Sequence, residues 1–141
     1  MSVEANKAIV RRFLEEAWNQ KNPAVADELL APTYVYRSSE SAAVLGPAES
    51  KQLIGLFATA FPDAAATIEG IVAEADQVAV RWTIHATHQG DFGGLPPTGK
   101  RVVMVGMEFF RLEGGQIVER WSNSDTLGLL QQLGVVSPVE S

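Results

Sequence analysis

Apolar and polar residues recur with two different periods, and the period changes once along the chain. Before Pro62 the apolar residues recur at helical spacing. This pattern predicts three amphipathic helices, over residues 4–20, 23–30 and 47–61. Asn22 followed by Pro23 is typical of a helix start, and Pro47 is typical of another. Pro62 cannot continue a helix, so the third helix should end before it.

After Pro62 the period is close to two, as in half-buried strands. It predicts four strands, over residues 64–74, 77–88, 100–112 and 116–124. "TYVYR" at 33–37 predicts a short earlier strand, "SSESAAVLG" a loop, and "TLGLLQQLG" a last helix ended by Gly134. We expect one α+β domain over residues 1–141, with a loose tail from about 135. A strongly curved, mostly antiparallel sheet wrapped around three N-terminal helices would enclose a central pocket.

Alternation within the strands predicts which side chains face that pocket. In the second long strand the apolar, inward set is Val78, Val80, Trp82, Ile84, Ala86 and His88. In the last strand we expect Ile117, Glu119, Trp121, Asn123 and Asp125 to share the inward face. The predicted substrate-binding set is Asn123, Trp121, Trp82, Tyr34, Tyr36 and Phe61.

Asp125 and His88 are the candidate catalytic residues. A carboxyl group in an apolar pocket can act as a general acid or base, and a nearby His can share the proton transfer. Asp125 has a second interpretation as the N-cap of the helix beginning at Thr126, because Asp is favoured at that position. His88 could equally be a hydrogen-bonded core or rim residue. The hydroxyls of Tyr34 and Tyr36 could donate to a developing oxyanion or simply pack within the sheet.

Composition excludes several classes of function. The chain has no cysteine, so it has neither disulfides nor thiolate metal ligands, and no His, Asp and Glu cluster has metal spacing. A net charge of −6 argues against nucleic acid. No apolar run approaches the length of a membrane span, and the charged N-terminus lacks the apolar region of a signal peptide. We therefore expect a cytoplasmic protein.

The segment "GLPPTGK" at 94–100 has the G-x-x-x-x-G-K spacing of a phosphate-binding loop, but its context argues against that role. Pro96 and Pro97 offer no N–H groups to phosphate, and Arg101 stands where Ser or Thr would hold magnesium. A strand follows where a helix should begin. We interpret the segment as a loop between two strands.

The outward faces of the strands also carry apolar residues. The residues expected on these outward faces are Arg81, Thr83, His85, Thr87, Val103, Val105 and Met107, of which the last three are apolar. A face that is partly apolar favours contact with a second copy, so we expect a homodimer packed sheet to sheet.

Two segments together resemble the SnoaL-like polyketide cyclases, or ester cyclases, of the NTF2-like superfamily. They are "THQGDFGGLPPTGK" and "GGQIVERWSNSDTLGLLQQLG", and "FLEEAWNQKN" and "AFPD" are similar to the same family. The resemblance covers residues 5–134 and implies a cone formed by a curved sheet and three helices, usually dimeric or larger. The sequence departs from the family at residues 34–38, where Tyr36 and Arg37 replace the Asp and His of a "YVDHD"-like segment.

The resemblance implies a cofactor-independent intramolecular aldol closure of a small, largely apolar polyketide ester, as in antibiotic biosynthesis. Asp125 matches the acid/base aspartate of the cyclases, and His88 matches the His of their T-H-x-G motif. Two alternatives stay open, because one fold supports many functions. They are a non-catalytic small-molecule binding protein and a hydroxylase- or isomerase-like relative.

Overall fold

The structure, a computed structural model, describes residues 2–137. Its helices are α1 (Val3–Arg12), which continues as a π-helical segment (Phe13–Asn19), α2 (Pro23–Leu29), α3 (Pro47–Ala60) and α4 (Thr126–Gln132). Its strands are β1 (Leu30–Ser38), β2 (Ser41–Leu45), β3 (Ala65–Glu74), β4 (Gln77–Thr87), β5 (Arg101–Glu113) and β6 (Gln116–Ser124). Residues 135–137 lie in no helix or strand, and the rest of the expected tail is outside the described residues.

The six strands form one mixed sheet in the order β2-β1-β6-β5-β4-β3. β1 and β6 are parallel, and the other neighbouring pairs are antiparallel. The sheet is not closed, and its apolar inner face packs against the helices. This arrangement confirms the predicted α+β fold. Within residues 2–137, none of the helices is long and apolar enough to cross a bilayer.

The predicted start of α2 is confirmed by its cap. The Asn22 side chain accepts a hydrogen bond from the Ala24 N–H at 3.2 Å, and Pro23 occupies the first turn of α2. The first helix differs from the prediction because its second half is π-helical. There the Gln20 N–H donates to the Glu15 carbonyl, five residues back, at 3.2 Å. Such segments are frequent at functional sites, and this one contacts the cavity described below.

The prediction that residues 38–46, after β1, form a loop is wrong in part. Residues Ser41–Leu45 form β2, which pairs with β1 through Tyr36 opposite Leu45 and Ser38 opposite Ser41. The small residues gave no strand pattern. The pairing nevertheless supplies partners for backbone groups on the outer edge of β1.

A β-bulge in β6 overturns the predicted orientation of its side chains. Leu112 is opposite Ile117 and Arg111 is opposite Glu119, so Val118 is an extra residue between them. A bulge reverses the alternation that follows it. Arg120, Ser122 and Ser124 consequently belong to the inner face of the sheet.

The same bulge places Trp121 and Asn123 on the outer face. Both side chains are exposed, opposite Phe109 and Met107 of β5 respectively. The prediction that Trp121 and Asn123 face the pocket is therefore wrong, because alternation was extended from Ile117 across the bulge.

Candidate functional site

A cavity of about 410 Å³ lies between the inner face of the sheet and the helices. Its volume falls in the range of sites for small organic ligands. Apolar side chains contribute most of its wall, among them Leu14, Trp18, Leu53, Phe57, Ile84 and Met104. Leu14, Trp18 and Asn19 come from the π-helical segment. A largely apolar ligand is therefore the kind of molecule that this wall would accommodate.

Burial distinguishes the mouth of the cavity from its floor. Glu40, Ser41 and Asp125 line the cavity yet are exposed. They lie at the β1–β2 turn and the β6–α4 junction, which are neighbours because β1 and β6 run parallel. Glu108 and Arg120 also line the cavity, and both are buried. The cavity thus has an exposed acidic mouth and a buried charged floor.

Asp125 caps α4 and also lines the mouth. Its Oδ1 accepts a hydrogen bond from the Gly128 N–H at 2.9 Å, which confirms the capping interpretation. Its Oδ2 accepts no hydrogen bond from residues 2–137. The carboxylate is fixed by one oxygen and keeps acceptor capacity on the other. Capping and contact with a ligand are therefore compatible at this residue.

Glu108 and Arg120 form a buried ion pair at the floor, in which the Arg120 Nε donates to the Glu108 Oε2. The Trp82 Nε1 donates to the Glu108 Oε1 at 3.0 Å. Gly106 makes this arrangement possible, because a Cβ there would lie 2.5 Å from the Trp82 ring. Burial is the largest influence and disfavours the charge on Arg120, but the charge and hydrogen bond of Glu108, together with the nearby Tyr34 and Tyr36, outweigh it and hold the pKa of Arg120 above its usual value.

His88 is completely buried and does not line the cavity. Its Nδ1 accepts a hydrogen bond from the Thr98 N–H at 3.2 Å. The Nε2 atom has no hydrogen-bond partner among residues 2–137. The Thr98 Oγ1 lies 3.0 Å from Nδ1. His88 therefore anchors the 88–100 loop, and the structure does not bring it together with Asp125.

The remaining predicted residues divide between the cavity and the core. Trp82 and Tyr36 line the cavity. Tyr34 and Phe61 do not; both are fully buried, with Phe61 packed against Phe57 and Phe92. Burial raises the pKa of Tyr34, against the opposing effect of the Arg120 charge, and its hydroxyl lies 3.4 Å from the Ser50 Oγ.

Among residues 2–137, no three His, Cys, Asp or Glu side chains are grouped as a metal site would require. The segment 94–100, which has the spacing of a phosphate-binding loop, lies in the loop between β4 and β5, as expected. That loop contributes Phe92 to the cavity wall.

The family model for the SnoaL-like polyketide cyclases matches residues 8–133. The chain belongs to the SnoaL-like polyketide cyclase family. Its structural neighbours are members of that family with the NTF2-like fold. No protein with a curated description matches the sequence.

Three solved structures illustrate the relationship. AclR from Streptomyces galilaeus, described as a candidate hydroxylase, is 33% identical with a TM-score of 0.88, over 99% of this chain and 87% of AclR. IdmH from Streptomyces antibioticus, described as a candidate polyketide cyclase, is 30% identical with a TM-score of 0.80, over 92% and 98% of the two chains. A candidate polyketide cyclase from Acidithiobacillus ferrooxidans is 30% identical with a TM-score of 0.81, over 97% and 100%.

In this member of the SnoaL-like family, sequence reasoning missed the ion pair at the floor. Glu108 carried a signal, because it shares its phase in β5 with Met104 and Phe110, both buried. A charged residue on an apolar strand face requires a partner. Strict alternation from Ile117 would place Arg120 on the outer face, and the bulge brings it to the inner one. The available sign was the pair of consecutive apolar residues Ile117 and Val118, which breaks the strict alternation of a half-buried strand.

Proposed function

We propose that this protein is a cofactor-independent acid/base enzyme that closes a ring within a small, largely apolar carbonyl or ester substrate. One observation carries the proposal: a carboxylate with one unbonded oxygen, that of Asp125, borders an apolar cavity of ligand size. The family membership supports the general reaction type. The resemblance to the acid/base aspartate of the cyclases supports the assignment of Asp125.

In the proposed mechanism the Asp125 carboxylate removes a proton from carbon next to a carbonyl group. The resulting enolate carbon attacks a second carbonyl carbon of the same folded molecule, and a carbon–carbon bond forms. The new alkoxide then takes the proton from Asp125. The apolar wall would favour a compact substrate conformation, which replaces a bimolecular encounter by an intramolecular one. Asn123 and His88, considered above as further site residues, have no part in this mechanism because neither lines the cavity.

Turnover of a panel of polyketide methyl esters tests the proposal. We expect a cyclic product with the mass of the substrate, or that mass less one water, formed without any added cofactor. Product analysis by mass spectrometry and proton NMR checks both points. Binding of these esters without ring closure would favour the non-catalytic alternative.

A hydroxylation is the second candidate, because AclR is described as a candidate hydroxylase and is 33% identical to this chain. An aldol closure consumes no oxidant, whereas a hydroxylation does. Oxygen uptake, measured with the same panel, separates the two reactions. Uptake matching product formation, together with a mass gain of one oxygen, would replace the cyclase proposal by the hydroxylase one.

A further inference from the structure

The floor of the cavity holds charged groups that the proposed mechanism does not use. Each Glu108 oxygen already accepts a hydrogen bond, one from Trp82 Nε1 and one from Arg120 Nε. Glu108 is 4% exposed and Arg120 is 6% exposed, so water contributes little to their stabilisation. Both oxygens of Glu108 are thus occupied by hydrogen bonds from Trp82 and Arg120.

Arg120 retains donors that Glu108 does not use. A guanidinium has five N–H groups, and Nε contributes only one of them. Glu108 accepts from Nε, and the buried Tyr34 hydroxyl lies close enough to the guanidinium to take a second N–H group, so these two neighbours leave further N–H groups for a ligand. Arg120 is also the sole Lys or Arg among the residues that line the cavity in this part of the chain. It is therefore the cationic donor that a ligand at the floor would meet.

Aromatic rings surround the guanidinium and restrict its orientation. Its carbon lies 4.6 Å from the centre of the Tyr36 ring and 5.3 Å from that of Trp18, and both rings line the cavity. Phe13 at 5.3 Å and Phe110 at 5.9 Å complete the surroundings. Cation–π contacts of this kind favour a fixed position. A fixed donor can select among ligand oxygens better than a mobile one can.

The net charge of the side chains at the floor determines which kind of ligand oxygen can bind there. The Glu108–Arg120 pair is neutral overall, so a ligand carboxylate would add an uncompensated negative charge beside Glu108 in a poorly solvated site. A ketone, ester or phenol oxygen could accept from Arg120 without that cost. Along a strand, Arg120 and Ser124 are about 13 Å apart, at roughly 3.3 Å per residue. A ligand reaching from the floor to Asp125 at the mouth would therefore be elongated.

We propose that Arg120 is a specificity-determining residue that donates a hydrogen bond to a neutral carbonyl or phenol oxygen at the cavity floor, while Glu108 excludes a carboxylate from the same place. The inference rests on the proposed function, because it describes the far end of the same substrate.

Calorimetric titration at pH 8 with two matched probes, methyl 2-naphthoate and 2-naphthoate, tests the proposal. We expect the wild-type protein to bind the ester at least tenfold more tightly than the carboxylate. Glu108→Gln leaves the charge of Arg120 uncompensated, so the ratio of affinities should move at least tenfold toward the carboxylate. Glu74→Gln is the control, because Glu74 is an exposed residue of β3 and its change should leave the ratio unaltered.

A double variant keeps the proposal falsifiable if Glu108→Gln does not fold. Arg120→Met with Glu108→Met removes both charges together and leaves no lone buried ion. It should bind the ester at least tenfold more weakly than the wild type, which is the loss expected for a hydrogen bond to a charged group. Unchanged ester affinity in the double variant would overturn the proposal. So would a wild type that binds neither probe or prefers the carboxylate, or a folded Glu108→Gln variant with the wild-type ratio.

These measurements require no turnover, so failure of the inference and failure of the proposed function are distinguishable. Selective binding of the ester without ring closure of any substrate would overturn the proposed function alone. Ring closure that depends on Asp125, with no effect of the floor variants on probe binding, would overturn the inference alone.

Discussion

At the scale of single residues, Gly128 determines where the Asp125 carboxylate can lie. A Cβ at position 128 would come within 2.7 Å of the Asp125 Cγ and closer still to Oδ2. The carboxylate therefore occupies space that any other residue at 128 would fill. Capping by Asp125 and the absence of a side chain at 128 are parts of one arrangement.

Substituting Gly128→Ala should displace the carboxylate and lower turnover at least tenfold, because small misplacements of a reacting group are costly. Gly55→Ala is the matched control, since Gly55 lies in α3 with nothing within 4 Å of its would-be Cβ. The control should gain up to about 1 kcal/mol of unfolding free energy from helix propensity with full turnover. Turnover of both variants and their urea unfolding check this. Wild-type turnover in Gly128→Ala would mean that the carboxylate position is not critical.

At the scale of elements, Asp63 joins the end of α3 to the end of β4. Its Oδ1 accepts from the Thr87 N–H at 2.7 Å, and its Oδ2 accepts from the Thr87 Oγ1 at 2.7 Å. These hydrogen bonds lower the pKa of Asp63, with the side-chain bond from Thr87 as the largest cause. The "AFPD" segment of the sequence thus has a structural role in connecting the helix to the sheet.

Asp63→Asn should therefore change how stability depends on pH. Because the folded-state pKa is below the unfolded value of about 3.9, the charged form stabilises the fold above that value and this contribution is lost as pH falls through the folded pKa. We expect a loss of about 1 kcal/mol or less at pH 7, since Asp63 is exposed. Denaturant unfolding of both proteins from pH 7 to pH 2 measures it. A difference that stays constant across this range would contradict the charged hydrogen bonds.

The individual helices and strands also show which parts of the structure could be predicted from the sequence. The helices and long strands were predictable because their apolar periods are consistent over many residues. β2 was not, since its small residues pair with β1 without forming a pattern. At the site, the prediction that Asp125, Trp82 and Tyr36 line the cavity is confirmed. For Asp125 the prediction rested on a phase of β6 that the bulge reverses. The single residue inserted at Val118 reversed the phase of β6 and concealed Arg120.

At the scale of the whole molecule, the outer sheet face is the surface that we propose as a homodimer interface. Its apolar members each keep more than a third of their side chain exposed; they are Val103, Val105, Met107, Phe109 and Trp121. The bulge in β6 adds Trp121, which packs edge-on against Phe109 at 6.2 Å between ring centres. A continuous apolar patch of this kind is uncommon on a monomer.

Sedimentation at micromolar concentration should give twice the mass of one chain. Met107→Lys should shift the protein toward monomer, because it places a charge in the centre of the proposed interface. Leu56→Lys, at an exposed apolar position of α3, is the control and should remain dimeric. A monomeric wild type would refute the dimer.

The turnover number of Asp125→Asn on a cyclised ester tests the central claim most directly. Asn keeps the size of the side chain and caps helices about as well as Asp, so stability should be nearly unchanged, whereas Asp125→Ala should cost about 1 kcal/mol. Asn cannot accept the substrate proton. We therefore expect turnover to fall about a hundredfold or more with little change in ligand affinity. Full turnover in the Asn variant would contradict the role of Asp125 as the general base and leave it as a helix cap.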